Sequence, residues 1–244
     1  MHESSITLEL AYLYPKLLNI YGDTGNVLTL QYRCNIRGIK LNVITIGVNE
    51  KIDKEKFDIY FIGGGQDQEQ VTVSHDLQLK KNEIIYAIEN EVVLLAICGG
   101  YQLLGKYYKG QDGTELKGLE ALDLYTTSGN KRMIGNVLCT ELESKKTLVG
   151  FENHSGKTYL GADLKPLAKV IRGNGNNGED RFEGARYKNV FGSYLHGSLL
   201  PKNPHLADKL IELALHRKGI EMPEANINNE TETKAHKKAM ALKY

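Results

Sequence analysis

The run EVVLLAICGGYQ, residues 91–102, constrains this chain more than any other stretch. VVLLAI is apolar at successive positions, without the alternation of a half-solvated strand, so it reads as a parallel strand buried on both faces. It stops at Cys98, Gly99 and Gly100, which predicts a sharp turn from strand into helix. The two backbones nearly touch in such an elbow, so the residues two before and two after its apex must be small. Ala96 and Gly100 meet that demand. The apex side chain points away from the sheet into open space, and here it is a cysteine. At a helix start the unpaired N–H groups and the helix dipole favour a thiolate. Those N–H groups, chiefly that of Gly99, are also placed to bind the oxyanion formed when sulfur attacks a carbonyl. A free cysteine is more often an inert core residue, but the small–x–Cys–x–small spacing favours a nucleophile. Cys34, in an amphipathic helix, and Cys139, in a strand, keep the inert reading.

The flanking sequence predicts an α/β fold. KLLNIYG (16–22) reads as a strand, DTGNVLTLQYRCNIRGI as a helix stopping at Gly38, LNVITI (41–46) and FDIYFIGGG (57–65) as strands. A helical stretch from about Gln66 to Asn90, broken in the middle, precedes VVLLAI (92–97), and a short helix after Cys98 runs to about Tyr107. This alternation predicts a doubly wound, mostly parallel central sheet flanked by helices. RMIGNVLCTEL, LVGFENHSGKTYL and ARYKNVFGSYLHG are strands without intervening helices, which predicts antiparallel additions in the second half. NGNNGEDRFEG (174–184) reads as a polar surface loop. PHLADKLIELALHRKG reads as a closing helix ending at Gly219. A single domain over 1–222, followed by a charged tail over 223–244, accounts for the chain.

Two further positions join Cys98. The glycines of FIGGGQD end the preceding strand and let backbone N–H groups approach a ligand, which makes Gly64 and Gly65 candidates for an oxyanion hole. Of seven histidines, His196 in GSYLHGSLLP ends a strand just before the closing helix, on the side of the nucleophile. It is the candidate base. His154 in GFENHSG is its one serious rival; His75, His205, His216, His236 and the terminal His2 read as solvated or peripheral. YGDTGN matches neither the dinucleotide fingerprint nor the phosphate-loop pattern, so it reads as a helix cap with no nucleotide on this chain.

Composition narrows the partners. Lys plus Arg number 31 against 30 Asp plus Glu, so no nucleic-acid surface is expected. Three cysteines at no metal spacing suit a reducing compartment, and no metal site is expected. Neither a signal peptide nor a membrane span is read, which implies a cytoplasmic protein.

FIGGG, AICGGYQLLG, GFENHSG and GSYLHGSLLPKNP, in this order, resemble the class I (triad-type) glutamine amidotransferases. LNIYGDTGNVLTLQYR and DGTELKGL extend the likeness to nearly the whole chain, toward the glutaminase subunits of lipid II isoglutaminyl synthases. Cobyric-acid-synthase glutaminase domains share the elbow and the His-Gly pattern. The resemblance implies hydrolysis of L-glutamine with Cys98 as nucleophile and His196 as base. It implies that Arg132 holds the glutamine α-carboxylate, that Gln102 contacts the intermediate, and that Asn153 and His154 line the substrate. It further implies a Mur-ligase-like synthetase partner that carries ATP and Mg and uses the ammonia to amidate the D-glutamate α-carboxylate of lipid II; no cofactor is implied on this chain. A cysteine hydrolase of the intracellular-protease-like superfamily is the rival from another class, but such chains usually carry histidine after the cysteine, where Gly99 stands. One departure stands out: the family's glutamate two residues after the histidine is Ser198 here, so the acid orienting His196 is expected from the partner.

Overall fold

TLELAYL, rather than KLLNIYG, forms the first strand. The computed structural model describes residues 6–243; His2, with the rest of 1–5, and residue 244 lie outside the described residues. Strand β1 (Thr7–Leu13) sits between β2 (Lys40–Ile46) and β3 (Ile59–Ile62), parallel to both. After it Tyr14 takes a positive φ of 52°, and Pro15 has no N–H for a ladder. Residues 16–22 therefore form turns and a 3₁₀ turn (Ile20–Gly22) that crosses the carboxyl end of the sheet. The apolar side chains that imitate a strand there plug the loop: Leu18 is buried.

The remaining elements follow in chain order. Helix α1 (Thr24–Ile36) joins β1 to β2; α2 (Asp67–Leu79) and α3 (Lys81–Glu89), broken at Lys80, join β3 to β4 (Val93–Ile97); α4 (Gly99–Leu103) follows the elbow. The helix after Cys98 is shorter than expected, because 107–109 turns into strand β5 (Tyr107–Lys109), paired with β6 (Glu115–Lys117). Then come β7 (Leu124–Glu141), β8 (Thr147–Leu160), β9 (Ala168–Arg172), β10 (Phe182–Glu183), β11 (Ala185–Tyr187) and β12 (Val190–Ser193). Helices α5 (Leu199–Lys202), α6 (Pro204–Arg217) and α7 (Glu230–Ala241) complete the chain.

The central sheet has the order β11-β12-β4-β3-β1-β2, parallel except for β11. Here β3 and β4 are buried at every position, as strands covered on both faces must be. The expected antiparallel additions mostly do not join this sheet. They build a second one, β10-β9-β7-β5-β6 with β8 on β7. The cause is length: β7 and β8 run 18 and 14 residues, and pair with each other over most of that span.

The polar segment 174–184 is not simply a surface loop, since Asn176 and Asn177 are buried. Asn176 exchanges two hydrogen bonds with the Gly184 backbone, so its amide replaces a strand partner. The tail is docked: Thr147 and the Lys202 carbonyl bond the ring of His236, and Arg172 donates to the Ala239 and Met240 carbonyls. No helix among the described residues is long and apolar enough to cross a membrane.

Candidate active site

The carboxyl ends of β1, β3, β4 and β12 converge on one cavity of about 310 Å³. Cys98 stands at its floor, 7 % exposed, with φ 48° and ψ −108°. This sparsely populated conformation is the strained apex the sequence predicts. It is held from two sides, by Cys98 N–H to the Ser193 carbonyl at 2.8 Å and by Gly100 N–H to the Gly63 carbonyl at 3.1 Å. A Cβ on Gly100 would lie 2.7 Å from that carbonyl oxygen, which is why the residue two past the nucleophile is glycine.

His196 follows β12 and is tied to β8 by reciprocal backbone bonds with Phe151. It is fully buried, and Tyr21 from the 3₁₀ turn packs edge-on over it at 5.1 Å. Burial alone would depress its pKa, but negative charge on Cys98 and the Asp23 carboxylate outweigh burial and push it up to about 10. The imidazole is therefore protonated when it faces a thiolate.

Asp23, which the sequence reading passed over, is an acid of this chain beside the histidine. Its Oδ1 lies 3.5 Å from His196 Nδ1, and both side chains are fully buried. YGDTGN is thus no simple cap: Asp23 makes no side-chain capping bond to α1. Instead its Oδ2 accepts the Gly64 N–H at 2.8 Å. That bond also changes the oxyanion-hole assignment. The Gly64 N–H is occupied, whereas those of Gly65 and Gly99 make no bond among the described residues. Gly64 serves by lacking a side chain: a Cβ there would sit 2.8 Å from His196 Cε1 and 3.1 Å from Cys98 Cβ.

The other expected residues gather on the same cavity. Gln102, Arg132, Asn153 and His154 all line it. The register between β7 and β8 shifts between Ser128 and Met133, and the resulting bulge carries Arg132 over the mouth. Its Nε donates to Asn153 Oδ1 at 2.5 Å, and Asn153 donates to the Tyr21 hydroxyl. Gln102 donates to the Tyr194 hydroxyl at 3.0 Å and keeps a buried, unpaired Oε1.

His154 is not the rival base. Its ring stacks on Tyr194 at 3.6 Å, and Nδ1 donates to the Gly156 carbonyl at 2.7 Å. Burial, chiefly, pushes its pKa down to about 3, so the ring is neutral, and its Nε2, without a hydrogen bond, lies 4.0 Å from Glu152 Oε2. Cys34 and Cys139 are buried, and burial pushes the Cys34 thiol up to about 12 and the Cys139 thiol up as well. Among the cavity residues that escaped the sequence reading, Glu69 and Gln70 each have a buried unpaired oxygen. Both lie in α2's first turns, where a polar face reads as solvated.

Comparison with known proteins places this geometry. Residues 9–204 match the family described as the CobB/CobQ-like glutamine amidotransferase domain. The chain is 46% identical over 235 residues to the protein named lipid II isoglutaminyl synthase (glutamine-hydrolyzing) subunit GatD of Staphylococcus aureus, spanning 96% of this chain and 94% of that protein. The protein of the same name from Streptococcus pneumoniae is 45% identical over 86% of this chain and 82% of its own length. A probable cobyric acid synthase of Methanothermobacter thermautotrophicus is 34% identical over 62% of this chain, but only 32% of that protein is matched. A crystal structure of a glutamine amidotransferase from Thermotoga maritima superposes with a TM-score of 0.56 at 16% identity, covering 97% of this chain and 94% of that one, a likeness of fold.

Proposed function

The chain belongs to the CobB/CobQ-like glutamine amidotransferases, and on that premise we propose that Cys98 and His196 hydrolyse L-glutamine to glutamate and ammonia. The observation that carries the reading is the pairing of a strained cysteine with a protonated, buried histidine across a gap that only a glycine at 64 leaves open.

The Cys98 thiolate attacks the substrate's side-chain amide carbon, and the developing oxyanion meets the Gly99 and Gly65 N–H groups. The C–N bond then breaks as His196 delivers its proton to the leaving nitrogen, releasing ammonia and a γ-glutamyl thioester. Neutral His196 next takes a proton from water. The hydroxyl adds to the thioester, glutamate leaves, and the thiolate–imidazolium pair is restored. Arg132 at the mouth holds the α-carboxylate, and the unpaired Glu69 oxygen faces the α-ammonium. Asn153 fixes the Arg132 fork, while Gln102 Oε1 is an acceptor for a substrate N–H.

The ammonia passes to a Mur-ligase-like synthetase subunit, which binds ATP and Mg and amidates the D-glutamate α-carboxylate of lipid II in the cytoplasm. The name carried by the two bacterial relatives supports this acceptor, as does a match spanning 94% and 82% of their lengths. A cobyric-acid-type acceptor has less support, because the matched probable cobyric acid synthase is only 34% identical over 62% of this chain. Free, unpaired cysteines suit a reducing compartment.

The test is ammonia release from glutamine by the chain alone and with its synthetase, alongside mass mapping after a glutamine-like diazoketone. Single labelling at Cys98, with turnover abolished in Cys98→Ala, is expected. Labelling at Cys34 or Cys139 would overturn the assignment.

A further inference from the structure

Tyr21 opens YGDTGN, the motif that matches no nucleotide pattern, and the reaction as derived leaves its hydroxyl unused. Within the 3₁₀ turn this residue sits in the left-handed region, at φ 56° and ψ 25°. A bulky side chain holds that conformation only where its surroundings enforce it, and here the turn is pinned at three points. The Ile20 N–H donates to the Gly64 carbonyl at 3.0 Å, the Thr24 N–H to Asn19 Oδ1 at 2.8 Å, and the Ser198 hydroxyl to the Gly22 carbonyl at 2.6 Å. Ser198 stands where the family has glutamate, so that departure supplies an anchor for the turn. It can come this close because residue 25 is glycine: a Cβ there would lie 2.2 Å from Ser198 Oγ.

The pinned turn sets the Tyr21 ring edge-on to His196 and its hydroxyl beside Asn153. The Asn153 amide then spans the mouth of the cavity. Its Nδ2 donates to the Tyr21 hydroxyl oxygen, and its Oδ1 accepts Arg132 Nε at 2.5 Å. Each neighbour keeps donors in reserve. The phenol oxygen is already an acceptor, and its own O–H meets no acceptor among the described residues. The terminal nitrogens of Arg132 make no hydrogen bond or ion pair among them either. Tyr21 is 44 % exposed and lines the same cavity as Arg132, so a ligand reaches both. A guanidinium and a phenol O–H, held across one mouth by a shared amide, suit a carboxylate.

We propose that Tyr21 is a specificity-determining residue of this site, its hydroxyl donating to the same α-carboxylate that Arg132 pairs with. The inference rests on the reading of Arg132 as the partner of that carboxylate. Tyr21 approaches it from the end of the central sheet and Arg132 from the second sheet. Primary amides that lack the carboxylate gain nothing from the hydroxyl, so Tyr21 favours glutamine over them.

Tyr21→Phe removes the hydroxyl and keeps the ring against His196. With the full chain and its synthetase, the half-saturating glutamine concentration should rise about ten- to a hundredfold, the loss of a hydrogen bond to a charged group. Turnover at saturation should change less than about threefold. Combined with Arg132→Ala, the two losses should fall short of adding, because both act on one carboxylate.

Two labels of Cys98 separate recognition from structure. The glutamine-like diazoketone carries the α-carboxylate; iodoacetamide does not. Tyr21→Phe should slow labelling by the first about tenfold or more and leave the second within about twofold. A tyrosine needed only for packing would alter both rates alike. Ser198→Ala frees the turn from outside the cavity and carries the same comparison should Tyr21→Phe fail to fold.

An unchanged half-saturation, or equal slowing of both labels, overturns the proposal. Arg132→Ala with an unchanged half-saturation would instead sink the underlying reading. Weakened glutamine binding in Arg132→Ala beside unaltered binding in Tyr21→Phe removes Tyr21 alone, so the two failures are distinguishable.

Discussion

Adding a single methyl group at Gly64 tests the site geometry more directly than removing a catalytic group. The Cβ of Gly64→Ala would lie 2.8 Å from His196 Cε1, 3.0 Å from Ile20 Cγ2 and 3.1 Å from Cys98 Cβ. Unstrained carbon contacts begin near ~3.5 Å, so the shortfall against the imidazole is about 0.7 Å. Gly64 has no positive φ, so alanine adds no backbone strain and its effect is purely one of space. The backbone cannot retreat, because its N–H is held by Asp23 and its carbonyl by Ile20. The imidazole must yield, and the methyl group lies between it and the sulfur.

A displacement approaching 1 Å at reacting groups costs about a hundredfold in rate. Gly64→Ala should therefore lower kcat by about ten- to a hundredfold. Overpacking should cost about 1–3 kcal/mol of stability, a loss that leaves the protein folded at room temperature. Labelling of Cys98 by the diazoketone should slow in proportion. The assay pairs ammonia release with urea unfolding at pH 7.5. Activity within twofold of the parent, in a variant destabilised as expected, would refute the claim that the reaction runs through the gap between His196 and Cys98.

Three further outcomes are expected. Arg132→Ala should raise the half-saturating glutamine concentration about ten- to a hundredfold with little change in kcat, since its charged hydrogen bond to the substrate is worth about 1.5–3 kcal/mol; initial-rate kinetics check this, and an unchanged half-saturation would return Arg132 to the surface. His154, neutral in the fold down to about pH 3, should weaken the protein in acid. Its stabilisation is complete above about pH 6.5 and is lost as pH falls toward 3, by up to about 1.4 kcal/mol per unit, so urea midpoints for His154→Gln should fall less steeply across that window. His196, protonated up to about pH 10, has the opposite sign. Its contribution is complete below about 6.5 and disappears as pH rises toward 10, and His196→Gln should flatten the alkaline decline in stability.

Much of the fold and half of the site were legible in the chain. The elbow at Cys98, the glycines of FIGGG, the break near Lys80 and the stop at Gly219 are local features. Each follows from sterics within a few residues. His196 was legible because a histidine at a strand end beside glycine is a short-range pattern. KLLNIYG misled because apolar content marks burial, whereas strand formation also needs partners on either side. TLELAYL has β2 and β3 there, and 16–22 has only the sheet's end to cover. The second sheet escaped for the same reason, since the partner of a long strand is named by pairing and not by composition. What tertiary structure alone decided is the neighbourhood of His196. Asp23 lies 173 residues earlier and Arg132 is carried in by a register shift. A carboxylate's identity says nothing about which distant imidazole it will face, because that distance is set by how the strand ends converge.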